Sequence, residues 1–212
     1  MYIIGSKIEP YPKMEEIVEY IANNGGFASM KELKEANFHT REITFLVKEK
    51  IVEKVKPGFY RLSNYGFFKN INVSLITVCR AEPQAVICLL SALDYYEMTD
   101  FNPSEVYYAI PHSQKKKSIH YPPVKTFFFR ERFYKPGIEI VKTKYGELRI
   151  YNREKTVCDM FRYRNKLSEE LAMQALKNYL KQKNCSITAL MKYAEICQVK
   201  TTIMPILKGL VA

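Results

Sequence analysis

Apolar residues recur at helical spacing near the start of the chain. Four of them form one buried stripe of a helix that is predicted to begin at Pro12 and to end at Gly25-Gly26: Met14, Ile17, Val18 and Ile21. Ser29 and Glu32 then have the spacing of a capping box, in which each side chain accepts a hydrogen bond from the other residue's backbone N–H. The pattern therefore predicts a second helix that starts at Ser29.

A third helix is predicted over residues 41–50, with Thr40 as its N-cap and Glu42 in the first turn, where the helix dipole favours negative charge. On a helical wheel its residues divide into two faces. The apolar face consists of Ile43, Leu46 and Val47, and the polar face consists of Arg41, Thr44 and Lys48. One face is suited to packing, and the other is suited to a groove.

Two alternating β-type runs follow at residues 51–55 and 59–62, joined by the turn tripeptide Lys56-Pro57-Gly58. Three helices and a hairpin predict a winged helix-turn-helix domain over residues 1–66, with the third helix in the major groove and the hairpin near phosphates. The candidate DNA-binding residues are Thr40, Arg41, Thr44, Lys48, Lys54, Lys56 and Arg61. The alternatives are a protein-binding module or a solvated helix face. Phe45 lies on the polar side, where it would either pack under the wing or contact a thymine methyl.

Residues 67–212 have a different pattern and are predicted to form a second, α+β domain. Residues 71–79 fit a strand or the first turns of a helix, and a strongly apolar helix is predicted from Glu82-Pro83 to Met98. Strands are predicted at 105–110, 124–130, 138–143 and 148–151, the last three as an antiparallel meander. Helices are predicted at 153–165, 168–183, 186–197 and about 202–210. A small antiparallel sheet with several helices gives the α+β class.

Charge is distributed unevenly between these two parts. The net charge is +11, but residues 1–66 hold 10 Lys and Arg against 9 Asp and Glu, which leaves 23 against 13 in residues 67–212. The second domain would therefore supply most of the attraction to phosphate or to an acidic partner. Its candidate surface for phosphate or for an acidic protein partner consists of Lys115, Lys116, Lys117, Arg153, Arg162 and Arg164. A lysine run is also compatible with an ordinary solvated loop.

Catalytic signatures are absent from the sequence. It contains no phosphate loop, no G-x-G-x-x-G, no G-x-S-x-G and no H-E-x-x-H, and its three histidines do not suggest a metal site. Asp94, Glu154 and Asp159 are conceivable acids of a nuclease site, but Glu154 and Asp159 lie five apart on a helix and point in different directions. Their favoured role is capping or ion pairing with a neighbouring cation: Arg153, Lys155, Arg162 or Arg164. We expect a protein that is not an enzyme, without cofactor or metal, and with buried reduced cysteines. The start of the chain lacks the features of a signal peptide, and no apolar run would span a membrane, so a cytoplasmic location is expected.

Six segments together resemble the AbiEi family of antitoxins from type IV abortive-infection toxin–antitoxin systems. They are GGFASMKELKEANFHTREI, VEKVKPGFYRL, AVICLLSALDYYEMT, EVYYAIP, LRIYNREKTVCDMFRYRNKL and AEICQVKTTIMPIL. The resemblance extends from about Met14 to Leu210. The second-domain segments are its more specific part, because winged helices are common.

The resemblance implies a bifunctional protein. Its winged helix would bind inverted repeats in the promoter of its own operon and repress transcription, while its second domain would counter a nucleotidyltransferase-like toxin without requiring a stable complex. The oligomeric state is left open, and a monomer that binds DNA cooperatively is one option. The competing hypothesis is a nucleic-acid-processing enzyme, a nuclease or a nucleotide-modifying protein, that acts through the basic second domain.

Overall fold

The first unit of the structure alternates helices with short strands. The computed structural model describes residues 12–63 and 73–211. The elements of the first unit are α1 (Pro12–Asn23), β1 (Phe27–Ser29), α2 (Met30–Glu35), α3 (Thr40–Lys48), β2 (Val52–Lys56) and β3 (Phe59–Leu62). The strands form an antiparallel sheet in the order β1-β3-β2. The predicted helices and hairpin are present, and β1 is an addition that the sequence pattern did not indicate.

Both predicted helix starts can be compared with observed hydrogen bonds. At α2 the Ser29 N–H donates to Glu32 Oε2 (2.6 Å) and the Glu32 N–H donates to Ser29 Oγ (3.2 Å), which confirms the capping box. At α3 the N-cap is His39, whose backbone N–H donates to the Glu42 carboxylate (2.8 Å). The N-cap predicted at Thr40 is therefore wrong by one residue. The Glu42 carboxylate accepts the backbone N–H of His39, three positions earlier, and this bond places the helix start at His39.

Replacement of Ser29 by alanine tests the capping box. We expect the substitution to lower the free energy of unfolding by about 1 kcal/mol, the usual effect of removing a capping side chain. Urea denaturation of the full chain would measure the loss. Ser29→Asp, which keeps an acceptor oxygen, is the control and should remain close to wild type. Equal destabilisation by both substitutions would contradict a capping role for the side chain.

The second unit contains one sheet and the remaining helices. Its elements are α4 (Val73–Ala81), β4 (Val86–Ile87), α5 (Leu89–Tyr95), β5 (Val106–Pro111), β6 (Val124–Phe129), α6 (Glu131–Tyr134), β7 (Ile138–Thr143), β8 (Gly146–Tyr151), α7 (Arg153–Arg162), α8 (Glu169–Lys181), α9 (Ile187–Ile196) and α10 (Lys200–Val211). The five strands follow the order β6-β5-β4-β8-β7. The α+β class predicted from the sequence is confirmed.

Strand directions in this sheet differ from the predicted meander. β7 and β8 form the expected antiparallel hairpin, and β4 also pairs antiparallel with β5. However, β6 pairs in parallel with β5, and β4 pairs in parallel with β8, so the sheet is mixed. The long connection over residues 112–123 returns the chain to the start of β5 before β6 begins, and such a crossover produces a parallel pair.

The apolar run after Pro83 does not form the single helix that the sequence pattern predicts. Val86 and Ile87 form the central strand β4, and α5 begins only at Leu89, whose positive φ of 50° marks the change of direction. Residues 85–93 are all buried. A strand buried on both faces has the same continuous apolar sequence as a buried helix, which explains the error.

The sheet separates two hydrophobic cores. Ile87 and Tyr108 belong to a core that also contains Ile17, Ile43 and other residues of the first unit, whereas Val86 and Tyr107 belong to a core with α7 to α10. Alternate residues of a strand point to opposite faces, so one sheet contributes to both cores. The predicted boundary at Asn64-Tyr65-Gly66 lies outside the described residues, and the division into 1–66 and 67–212 stays a prediction.

Helix α4 connects the two units through its C-terminal end. Lys56 Nζ, from β2, donates to the Ala81 carbonyl, and Arg149, from β8, donates to the carbonyls of Cys79 (Nη2, 3.0 Å) and Ala85 (Nε, 3.1 Å). Cations are stabilising at this end of a helix, where carbonyls lack intrahelical partners. The hairpin of the first unit is therefore held directly against the second unit.

Candidate nucleic-acid interface

Helix α3 has one buried face and one exposed face. Ile43 and Leu46 are fully buried, whereas four polar residues are exposed: Thr40, Arg41, Thr44 and Lys48. Phe45 is partly buried and packs against the first core, so it contributes to packing. The two faces expected from the helical wheel are therefore present, and the four polar residues lie together on one surface.

The exposed face of α3 is positively charged. Among the described residues, neither Arg41 nor Lys48 takes part in a salt bridge. The carboxylate of Glu42 is buried and accepts the His39 backbone N–H, which removes it from this surface. The Thr44 hydroxyl donates to the Thr40 carbonyl (2.9 Å). Two cations that have no salt-bridge partner in the described part of the chain, and a threonine, are therefore exposed on one helix.

The three cations of the predicted wing have different environments. Lys54 is exposed. Arg61, with a side chain only 3% exposed, pairs with Glu53 through Nε and Nη2, both 2.7 Å from Oε2, and its guanidinium carbon lies 4.5 Å from the centroid of the Tyr121 ring. Lys56 donates to the Ala81 carbonyl, and its pKa is lowered by burial and by the nearby Lys117. Of the three side chains, only that of Lys54 extends freely into solvent.

The connection over residues 112–123 of the second unit contains Lys115, Lys116 and Lys117 and is called the lysine loop. It lies against β2. The backbone N–H groups of His120 and Tyr121 both point to the Val55 carbonyl, at 2.7 and 3.4 Å. Lys117 Nζ lies 3.1 Å from Oε1 of the buried Glu82, while Lys115 and Lys116 are exposed. The structure therefore places the lysine loop beside the predicted wing, although sequence reasoning had assigned the two to separate domains.

The three arginines predicted to share a surface with these lysines lie on α7 and just after it. Arg153 is exposed, with its guanidinium carbon 4.8 Å from the Tyr96 ring centroid. The guanidinium carbon of Arg162 lies 3.4 Å from the ring centroid of Phe133, a residue of the second core. Arg164 Nη1 donates to the Phe161 carbonyl (2.8 Å). The structure does not bring these arginines together with the lysine loop, which contacts the first unit.

A fully buried ion pair lies within α7. Lys155 Nζ is 2.5 Å from Asp159 Oδ2, and neither side chain has any exposure. Cys197 Sγ is 3.6 Å from Asp159 Oδ1, and Lys155 Nζ lies 4.3 Å from the centroid of the Tyr151 ring. The interpretation of Asp159 as an ion-pair partner is confirmed. Because solvent does not reach it, this carboxylate is not available to a nucleic-acid substrate.

The expectations for metal sites, cysteines and membrane-spanning helices can also be compared with the described parts of the chain. Within residues 12–63 and 73–211, no group of three or more His, Cys, Asp or Glu side chains is arranged to hold a metal ion. The cysteines are free thiols, and four of the five are buried, as predicted. Across the same ranges, no helix combines the length and the apolar character needed to span a bilayer.

These observations define a mixed α+β protein whose first unit exposes a cationic helix face. Residues 15–63 match the family described as "Transcriptional regulator, AbiEi antitoxin". The match begins within α1 and ends just after β3, so it covers nearly the whole first unit. A comparison with curated proteins gives no match. The resemblance to AbiEi proteins is thus confirmed over the segment that contains α3.

Proposed function

We propose that the chain is a DNA-binding transcriptional regulator and antitoxin, and that its first unit is a winged helix-turn-helix. The observation that carries this proposal is the face of α3, where Thr40, Arg41, Thr44 and Lys48 are exposed together and neither cation forms a salt bridge within residues 12–63 and 73–211. The family match over residues 15–63 supports the same role. Double-stranded DNA with inverted repeats, in the promoter of the protein's own operon, is the proposed ligand.

The dimensions of α3 suit a major groove. An α-helix rises about 1.5 Å per residue, so Arg41 and Lys48 are separated by about 10.5 Å along the axis, close to the length of three base pairs. Arg and Lys side chains donate to guanine O6 and N7 in that groove. We propose that Arg41, Thr44 and Lys48 read one short half-site.

Phosphate contacts come from the exposed cations of the wing and of the loop that lies against it. Lys54 on β2 and the lysines of the docked loop, Lys115 and Lys116, remain exposed and supply these contacts. Lys56 and Arg61 have a different role in the proposal, since their charges are engaged by Ala81 and Glu53. They hold the wing and the loop in place. The phosphate contacts of Lys54, Lys115 and Lys116 would set the position of the protein on the duplex.

The second unit is the proposed antitoxin part, which counters a nucleotidyltransferase-like toxin without acting as an enzyme. The resemblance of its sequence segments to AbiEi proteins supports this assignment. Asp159 does not support the alternative of a nuclease, because its carboxylate is buried against Lys155. Repression of a promoter reporter and rescue of growth from the toxin, measured on the same variants, test the two activities separately.

Salt dependence of DNA affinity tests the role of the lysine loop. With a duplex from upstream of the protein's own gene, we expect Lys115→Ala plus Lys116→Ala to reduce the slope of log affinity against log salt by about 1.8, because each neutralised phosphate contributes about 0.9. Fluorescence anisotropy over a range of salt concentrations gives the slope. Lys177→Ala plus Lys181→Ala on α8 removes the same charge elsewhere and is the control.

Two outcomes would contradict the proposal at different points. An unchanged slope in the Lys115 and Lys116 variant would show that the loop does not contact phosphate. Failure of the wild-type chain to bind this duplex more tightly than unrelated DNA would contradict its assignment as a regulator of its own promoter.

A further inference from the structure

The hydroxyl group of Thr44 is already used within α3. Its Oγ1 donates to the Thr40 carbonyl at 2.9 Å, although the residue lies on the exposed face of the helix. A threonine hydroxyl has a single hydrogen. While this bond is kept, Thr44 has no donor for the acceptors N7, O6 and O4 on the base edges of the major groove.

The group that Thr44 then presents outwards is its methyl. The Cβ atom carries only a hydrogen, the hydroxyl and the methyl besides the backbone, and the hydroxyl is turned back to the helix. In the major groove, the C5-methyl of thymine is the apolar group that distinguishes one base pair from the others. Contact between two methyl groups removes apolar surface from water on both sides.

Thr44 is better placed than its neighbour Phe45 to contact a thymine methyl. Phe45, the other apolar residue on this side of α3, is partly buried and packs against the first core. Arg41, three residues earlier, is exposed and lies about 4.5 Å away along the helix axis. That distance corresponds to one or two base pairs.

We infer that Thr44 is a specificity-determining residue that reads the methyl group of a thymine, one or two base pairs from the base contacted by Arg41. This inference rests on the proposed function and specifies the half-site that α3 recognises. Each half-site contains a thymine whose methyl group contributes to affinity, and the Thr44 hydroxyl donates no hydrogen bond to a base.

The experiment uses DNA from which single methyl groups are removed. The full chain selects duplexes from a randomised library, and each thymine of the selected site is replaced in turn by deoxyuridine, which lacks only the C5-methyl. We expect one position per half-site at which this replacement weakens binding about fourfold, the effect of losing one buried methyl group. Thymines outside the half-sites are the control.

Two conservative substitutions separate the methyl from the hydroxyl. Thr44→Val keeps a methyl and should retain both the affinity and the sensitivity to deoxyuridine. Thr44→Ser keeps the hydroxyl and should bind thymine-containing DNA about fourfold more weakly, with no further loss on deoxyuridine DNA. Such non-additivity between the two changes is the sign of a direct contact.

The possible failures are distinguishable. If a site is selected but no thymine in it is sensitive to deoxyuridine, or if Thr44→Val loses as much affinity as Thr44→Ser, the inference is overturned and the proposed function stands. If the chain selects no sequence at all, the proposed function is overturned together with the inference.

Discussion

Replacing Asp159 by alanine should lower the free energy of unfolding by about 3–5 kcal/mol, the largest effect on stability that we expect from a single substitution here. The change would leave the ammonium group of Lys155 in the second core without its counter-charge, and both side chains of this pair are completely buried. A charge in an apolar interior is strongly disfavoured unless it is paired. Urea denaturation at neutral pH would measure the loss.

Two controls show whether burial is the cause. Glu35 forms the same i,i+4 pair with Lys31 on α2, but these side chains are 64% and 84% exposed, so Glu35→Ala should cost less than about 0.5 kcal/mol. The double substitution Lys155→Met with Asp159→Leu removes both charges and should recover most of the loss. If Glu35→Ala and Asp159→Ala have equal effects, or if the double variant is no better than Asp159→Ala, the explanation by an uncompensated buried charge is wrong.

The second large effect is expected on DNA binding. Arg41→Ala combined with Lys48→Ala should weaken binding to the promoter duplex by about 2–6 kcal/mol, since each good contact to a base contributes about 1–3 kcal/mol. Repression of the promoter should be lost. Both side chains are exposed and outside any salt bridge of the described residues, so the free energy of unfolding should change by less than about 1 kcal/mol.

The same variant should still rescue cells from the toxin, because the antitoxin activity is proposed to lie in the second unit. Anisotropy with the promoter duplex, a reporter assay and growth during toxin expression are the three measurements. The Lys177→Ala plus Lys181→Ala variant again controls for the loss of two positive charges. Loss of both activities, or of neither, would contradict the proposed division of labour between the two units.

Some features of the fold could be predicted because their causes are local. Ser29 and Glu32 lie three residues apart, and their reciprocal hydrogen bonds need only the first turn of α2. The turn at Gly58 requires a positive φ of 72°, which glycine adopts without strain, and it joins β2 to β3 as expected. The faces of α3 likewise follow from helical periodicity alone.

Other features depend on partners far away in the chain and could not be predicted. Arg61 was expected on an exposed wing, but Glu53 and Tyr121 enclose it, and Tyr121 comes from a connection sixty residues later. The parallel direction of β6 is similarly a result of where the long connection crosses the sheet. No local pattern distinguishes a lysine that reaches solvent from one that reaches a carbonyl in another element.

The sequence by itself therefore determined the capping box at the start of α2, the hairpin turn and the two faces of α3, because neighbouring residues are sufficient to form them. The tertiary structure alone decided which cations remain free. Lys54 is exposed while Lys56 is held by Ala81, and the lysine loop lies beside the wing through the bonds from His120 and Tyr121 to Val55. The physical reason is that the exposure of a charge depends on every element packed around it, and those elements meet only when the chain has folded.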